Sequence, residues 1–303
     1  MACTHDNRKQ ICTIDPVLLW QCTDCGLVFS QKALEEFDPN ALYNSYYYKN
    51  EIAGRFNLLL ELVIRAFRFF RAFKIFTIAP LAKSILDIGS GRGFMLYYLK
   101  RLYGYRRAVG TQISRNAFEF SRDKLGLEMY DKDMTDLDFP ESSFDIVTMW
   151  HVLEHVKEAE KYIEKISDII TEKGKLVIEV PNFDSWTRKF TGRYWLGLDI
   201  DYHLYFFTPN TLSALLLRHG FKIKTIHTFS MEYSAFISAQ SIVSLLTRSD
   251  QIFFRYLQTG KINLSIIVHI LLFLIVTPFC FLIDLLLYFS KKGEVLLVIA
   301  DKS

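Results

Sequence analysis

The chain has little cysteine, little net charge and neither of the commonest nucleotide fingerprints. Its five cysteines are an odd number, which does not suit a framework of paired disulfides. No secretory leader pattern opens the chain, so both features point to a reducing compartment. Lys and Arg number 36 against 33 Asp and Glu, a formal charge of +3. That surplus is too small for a nucleic-acid binder, and no basic–aromatic stripe for bases exists beyond one Phe/Arg helix. The Gly-x-Gly-x-x-Gly turn of dinucleotide sites is missing, and so is the Gly-Lys-Ser/Thr of a P-loop. What is abundant is apolar: half of the 303 residues are hydrophobic and 26 are Phe. The length fits one α/β domain with additions.

The most informative stretch runs from Ser84 to Gly93. A short apolar strand ends in Asp87, a turn follows with Gly89, Gly91 and Gly93, and a helix begins at Phe94. Glycines let a strand turn sharply into a helix and let a ligand approach the backbone. The helix start offers unpaired N–H groups to an electronegative group. The loop therefore predicts a nucleotide-type cofactor site at the carboxyl end of a first parallel strand. Further strands are expected at Ala108–Ser114, at Leu127–Met134 with Asp133 near its end, at Ser143–Trp150 and at Gly174–Asn182. Helical stretches at Asn116–Leu125 and Ala159–Thr171 separate them. Such alternation predicts a doubly wound parallel sheet. A sixth strand at Phe221–Phe229 and a last one at Glu294–Asp301 would complete it. Just before the sixth strand, Thr208-Pro209 and Gly220 bracket a capped helix.

Asp-x-Gly-x-Gly-x-Gly, then Phe-Asp-Ile-Val-Thr-Met-Trp-His-Val-Leu-Glu-His-Val, then Pro-Asn after strand five, occur in that order. From about Leu81 to Gly220 the chain resembles the class I S-adenosylmethionine (SAM) methyltransferases. The resemblance implies an α/β, Rossmann-like, seven-stranded sheet whose last strand pairs antiparallel with strand six. It also implies a SAM site. Asp87 with the backbone of Gly89, Gly91 and Gly93 would hold the amino-acid end, and Asp133 and Met134 the adenine. Where the family usually has an acid for the ribose, this chain has Gln112, an amide that can still donate and accept. Trp150 would either wall the cofactor or pack in the core.

His151, Glu154 and His155 are spaced to share one helical face. Three roles are open to them: packing and capping, a general base for an acceptor hydroxyl, or ligation of a divalent metal. The ubiquinone-pathway O-methyltransferases carry Glu-x-x-Glu-His here and bind a metal through it. His151 in place of the first Glu argues against a hard ion such as Mg²⁺. Similar methyltransferases have a His-Leu-Tyr/Phe-x-Phe segment after strand five, which makes His203 a second base candidate. Tyr194, Trp195 and Tyr202 would wall the acceptor pocket.

At the amino terminus, Cys22-Thr-Asp-Cys25-Gly presents two thiolates to one metal. Sugar- and lipid-pathway methyltransferases carry a zinc ribbon with a similar ending. No second Cys-x-x-Cys exists, so here either Cys3 and His5 complete the site with Cys22 and Cys25 or the site is degenerate. The aromatic run Phe37–Tyr48, with Tyr43, Tyr46, Tyr47 and Tyr48, would close over the acceptor or pack on the main domain.

Two segments hold the apolar excess. In Phe56–Phe76, Phe67, Phe69, Phe70, Phe73 and Phe76 fall on one side of a helix, and Arg65, Arg68, Arg71 and Lys74 on the other. That pattern suits an anionic membrane surface or packing on the sheet. Ile262–Phe289 is long enough to span a bilayer. The strand after it must rejoin the sheet, so the expected form is a hairpin bent near Thr277-Pro278, with Lys291 and Lys292 at the headgroups. The expected organisation is a ribbon-like segment (1–50), a basic amphipathic helix (51–80), the SAM-binding core (81–230), a hydrophobic helical insertion (231–293) and the last strand (294–303). The expected function is a methyltransferase on the cytoplasmic side of a membrane, peripheral or monotopic, in lipid or polysaccharide biosynthesis. Its acceptor would be a small or lipid-linked hydroxyl compound. A soluble sugar methyltransferase with an apolar dimer interface and a non-catalytic membrane adaptor are the alternatives.

Overall fold

The fold comes from a computed structural model, which describes residues 3, 5–14, 17–35, 58–249 and 264–303. The tyrosine run at 43–48 and the start of the Phe/Arg helix at Phe56 lie outside the described residues.

Two sheets carry the chain. The smaller is antiparallel: β1 (Arg8–Ile14), β2 (Val17–Cys22) and β3 (Val28–Ser30). A two-residue strand from far downstream, Tyr205–Phe206, pairs with β3 as its fourth member. Next come α1 (Leu58–Ile78), β4 (Ser84–Ile88), α2 (Phe94–Leu102) and β5 (Arg107–Thr111). After the short α3 (Arg115–Glu119) come β6 (Glu128–Tyr130), β7 (Phe144–Trp150), α4 (Ala159–Ile169) and β8 (Ile170–Pro181). Then follow α5 (Trp186–Thr191), β9 (Tyr205–Phe206), α6 (Pro209–Arg218) and β10 (Phe221–His227). The chain ends with α7 (Ser234–Thr247), α8 (Leu264–Phe289) and β11 (Val295–Lys302).

The large sheet has the order β10-β11-β8-β7-β4-β5-β6. β4 to β8 are parallel, and β11 runs antiparallel to both β8 and β10. This is the seven-stranded class I arrangement, with its final strand inserted beside strand six. The central strands are buried on both faces, as Ile85, Leu86, Val147 and Val177 show, so they read as continuous apolar runs rather than alternation. One face packs α4 and α6 through Ile163, Ile166, Leu212 and Leu216. The other packs α1 and α2 through Ala72, Ile75, Leu96 and Leu99. The predicted cap of α6 is a full capping box between Thr208 and Thr211, with Pro at the first turn.

Several expectations need correction. The strand expected over Leu127–Met134 covers only Glu128–Tyr130, because Asp133 caps a following 3₁₀ turn. His151 has φ 54, which stops a helix from starting there. His151, Glu154 and His155 therefore do not share a helical face; Leu153–His155 is a single 3₁₀ turn. The hairpin bend expected at Thr277-Pro278 is absent. α8 runs unbroken through Pro278, and the Thr277 hydroxyl donates to the Phe273 carbonyl at 2.6 Å. The fold-back instead pairs α8 with α7, on a stripe that buries Ile266, His269, Cys280 and Asp284. In α1 the residues turned to the sheet are Ala72 and Ile75, while Phe69, Phe70 and Phe73 stay exposed.

Candidate functional site

The glycine loop takes the positive φ values its sequence implies: 70 at Gly89, 56 at Gly91 and 70 at Gly93. At Gly89 a Cβ would lie 2.4 Å from Val152 Cγ2, and at Gly93 2.6 Å from Leu127 Cδ1. Gly93 thus serves packing as well as the turn. Along the carboxyl ends of β4, β5 and β6 runs a cleft of about 180 Å³, lined by Gly89, Gln112, Asp133, Met134 and His155. Five residues singled out in the sequence meet there. Thr111, Thr135, Val152 and Tyr162 line it too and had no sequence signal of their own. Asp133 accepts from the Thr135 N–H at 2.8 Å and from the Tyr162 hydroxyl. Gln112 accepts from the Ser114 N–H at 3.2 Å, which leaves its NH₂ as donor.

Asp87 lies beneath this edge and is 3 % exposed. It accepts from the Thr148 hydroxyl at 2.6 Å. Burial pushes its carboxyl up to about 6, against that hydrogen bond and the nearby Arg71 and Arg68. Trp150 does not line the cleft. It faces α1, where the Arg71 guanidinium sits 4.2 Å from its ring centroid. Arg68 and Arg71 both donate to Glu232, at 2.7 and 2.6 Å. A second cavity of about 250 Å³ opens here, among Phe70, Lys74, Trp150, Glu179, Phe229 and Met231. Arg68 and Arg71, predicted to face a membrane surface, thus turn to Glu232, and Arg71 packs on Trp150.

The three histidines divide into two groups. His151 lies 3.2 Å from Glu179 and 3.4 Å from Glu154. Burial works to lower its pKa, but these two carboxylates hold it well above the usual imidazole range. His155 and His203 stack edge-to-face with centroids 4.7 Å apart. His155 Nδ1 donates to the Tyr202 carbonyl at 3.1 Å, and His203 Nδ1 to the Gly197 carbonyl at 3.0 Å. In its neutral form each therefore keeps a lone pair on Nε2. Burial and the neighbouring His155 push His203 down to about 3. Glu154 is 1 % exposed, and beyond its contact with His151 neither carboxylate oxygen has a hydrogen-bond partner. One ligand atom each from Glu154, His155 and His203 lies within 4.8 Å of the others. Trp195, expected as a pocket wall, is fully buried and donates to Glu294 at 2.8 Å.

In the ribbon, Cys3, His5, Cys22 and Cys25 also gather within 4.8 Å. The Cys3 and Cys22 sulfurs are 3.6 Å apart, and Cys25 Sγ is 3.4 Å from His5 Nδ1. Three thiols and one imidazole are the donor set of a closed tetrahedral zinc site.

A family model described as a methyltransferase domain matches residues 55–226. The chain belongs to the class I SAM-dependent methyltransferases. SAM is the cofactor of this family. Among curated relatives, the chain is similar to the ubiquinone/menaquinone biosynthesis C-methyltransferase UbiE of Desulfotalea psychrophila. The two are 24% identical over 160 residues, which is 50% of this chain and 64% of that protein. It is also similar to the phosphatidylethanolamine N-methyltransferase of Cereibacter sphaeroides, 30% identical over 102 residues, 31% of this chain and 48% of that one. The chain thus spans less than two thirds of the length of these relatives. A solved structure from Galdieria sulphuraria, a sarcosine dimethylglycine methyltransferase candidate, matches with a TM-score of 0.54. It is 12% identical and covers 84% of this chain and 91% of its own, a likeness of fold.

Proposed function

We propose that this methyltransferase moves the methyl group of SAM to a hydroxyl of a lipophilic or lipid-linked acceptor, such as a polyprenyl-linked sugar or a glycolipid, at a membrane surface. The observation that carries the lipid half is the reversed polarity of the α7–α8 hairpin. Its inner side holds Ser238, which donates to Asp284 at 2.9 Å, and His269, bonded to Thr247 and Ser249 at 3.0 and 2.8 Å. Its outer side exposes Leu271, Leu274, Ile275, Phe279, Leu282 and Leu286. Helices that hide polar groups and display apolar ones suit lipid rather than water. α8 is long and apolar enough to cross a bilayer by length and composition. Because β11 follows it at once, we read the hairpin as monotopic, entering and leaving from one side. The free cysteines suit a cytoplasmic face. The Phe70–Met231 cavity opens beside this apolar side, since Phe229 meets Phe281 of α8 at 5.6 Å. It would admit the acceptor. The relatives named for ubiquinone and phosphatidylethanolamine chemistry support the lipophilic class.

In this reading Asp87 and the glycine loop grip the amino-acid end of SAM, Gln112 the ribose, and Asp133 and Met134 the adenine. The sulfonium supplies the activated methyl, and positioning supplies most of the rate. His155, which lines the cleft, takes the hydroxyl proton at Nε2, and Glu154 stabilises the resulting imidazolium. His203 stays neutral and orients the acceptor. A second reading is favoured by the buried Glu154 carboxylate, which has only the His151 contact for its two oxygens. Glu154, His155 and His203, without His151, would hold a divalent ion that favours N and O ligands and would supply Lewis acidity. The ribbon's Cys3, His5, Cys22 and Cys25 would hold a structural zinc.

The test is transfer of label from methyl-tritiated SAM with anionic liposomes and membrane lipid extract present. Label in the lipid fraction supports the reading. Label only in water-soluble sugars would point to a soluble enzyme whose apolar side is a dimer interface. Failure to bind SAM at all would leave a membrane adaptor.

A further inference from the structure

We propose that the metal-loaded amino-terminal ribbon sets the tautomer and position of the His155–His203 pair. This inference rests on the reading of Cys3, His5, Cys22 and Cys25 as a zinc site. The link is a short relay of backbone hydrogen bonds. Between two of the metal-site cysteines, the Cys22 N–H donates to Leu27 O at 2.9 Å and the Gly26 N–H to Cys22 O at 3.0 Å. That turn opens directly into β3, whose other edge pairs with β9. Strands of three and two residues hold little register alone. A metal that fixes the turn therefore fixes the pairing.

Leu204 joins the ribbon to the site. Its carbonyl accepts from the Ser30 N–H at 2.8 Å, and its own N–H donates to the Glu154 carbonyl at 2.8 Å. Leu204 is fully buried. Immediately before it lie His203 and Tyr202, and the carbonyls of Tyr202 and Gly197 hold the two Nδ1 hydrogens. The far end of this segment is tied down by the Trp195–Glu294 bond. With β3 loosened, Leu204 loses one of its two anchors, and the carbonyls that fix both rings lose their place. Ser30 and Leu204 are thus positioning residues for the acceptor side. The cleft at Gly89 and Asp133 has no bond to the ribbon in this relay.

The experiment compares the full-length chain as purified, the same chain after chelation, and Ser30→Pro. Ser30 has φ -80, within reach of proline, so the substitution removes one N–H with little backbone strain. Metal content is measured first, then SAM affinity by calorimetry, then the ring-nitrogen shifts of His155 and His203 by ¹⁵N NMR. The loaded wild type is expected to carry zinc and to show both rings as Nδ1–H tautomers. Ser30→Pro is expected to keep the metal and to keep SAM affinity within about twofold, while both rings become tautomer mixtures. The chelated wild type is expected to show the same mixtures, and so is Cys25→Ser, which removes a ribbon ligand while leaving Glu154, His155 and His203 in place. Unchanged Nδ1–H signatures after chelation would overturn the coupling and leave the zinc reading intact. A wild type purified without metal would overturn the zinc reading itself, and the inference with it.

Discussion

His151 stands in the left-handed region at φ 54, where a side chain other than glycine is uncommon, and two buried carboxylates hold it there. Its pKa lies above that of a free imidazole. The sign follows from linkage: a group whose folded value is raised contributes its stability in full below the unfolded value, about 6.5. That contribution is lost as the pH rises through the folded value. Unfolding free energies from urea titrations are expected to fall as the pH rises above about 6.5, and His151→Gln to flatten that fall. A slope unaffected by the substitution would show that His151 is not the titrating group. At this scale the sequence was most legible where chemistry is contiguous. Asp87 and the glycines form one run, and Gln112 and the Asp133–Met134 pair follow the successive strands β5 and β6, so topology alone brings them to one edge. The roles of Arg68 and Arg71 were not legible. Their partner Glu232 lies 161 or more residues away, and a helical wheel says which residues share a side but not what that side meets.

Among the elements, the joint between α8 and β11 is the most constrained. A Cβ at Gly293 would come within 2.0 Å of the Thr228 carbonyl oxygen, so only glycine lets the chain leave the insertion and enter the sheet beside β10. Gly293→Ala is expected to destabilise the fold by more than about 2 kcal/mol, read as a drop in denaturant midpoint. An unchanged midpoint would mean the joint is slack. The order of strands was readable because buried parallel strands and amphipathic helices repeat with distinct periods. The bend expected at Pro278 was not found because a proline removes one N–H without forcing a turn. With the Thr277 hydroxyl on the Phe273 carbonyl, the helix carries on. The meeting of α7 with α8 depends on which residues of each hide polar groups, and hydropathy alone leaves that open.

For the whole molecule, the Gly89–Asp133 cleft and the Cys3/His5/Cys25 cluster adjoin at Lys157 and Glu158, and α8 presents an exposed apolar surface. Leu271 and Leu282 are 56% and 59% exposed, so charges placed there meet water in the free protein and lipid in the bound one. Leu271→Glu with Leu282→Glu is expected to abolish co-sedimentation with anionic liposomes while leaving SAM affinity within about twofold. Retained sedimentation would remove α8 from the membrane contact. The family and the sheet order were within reach of the sequence because the motifs fall in a fixed order. The joining of β9 to the ribbon was not, since two residues of strand leave almost no pattern.

The most direct measurement is a calorimetric titration of SAM into the purified full-length chain and into Asp87→Asn. The account predicts binding on the order of micromolar for the wild type and at least about tenfold weaker binding for the variant. The unliganded variant should also be more stable at pH 7 by up to about 3 kcal/mol, since it no longer buries a carboxylate raised to about 6. Equal affinity in both proteins, or no heat in either, would contradict the placement of the cofactor at this glycine loop.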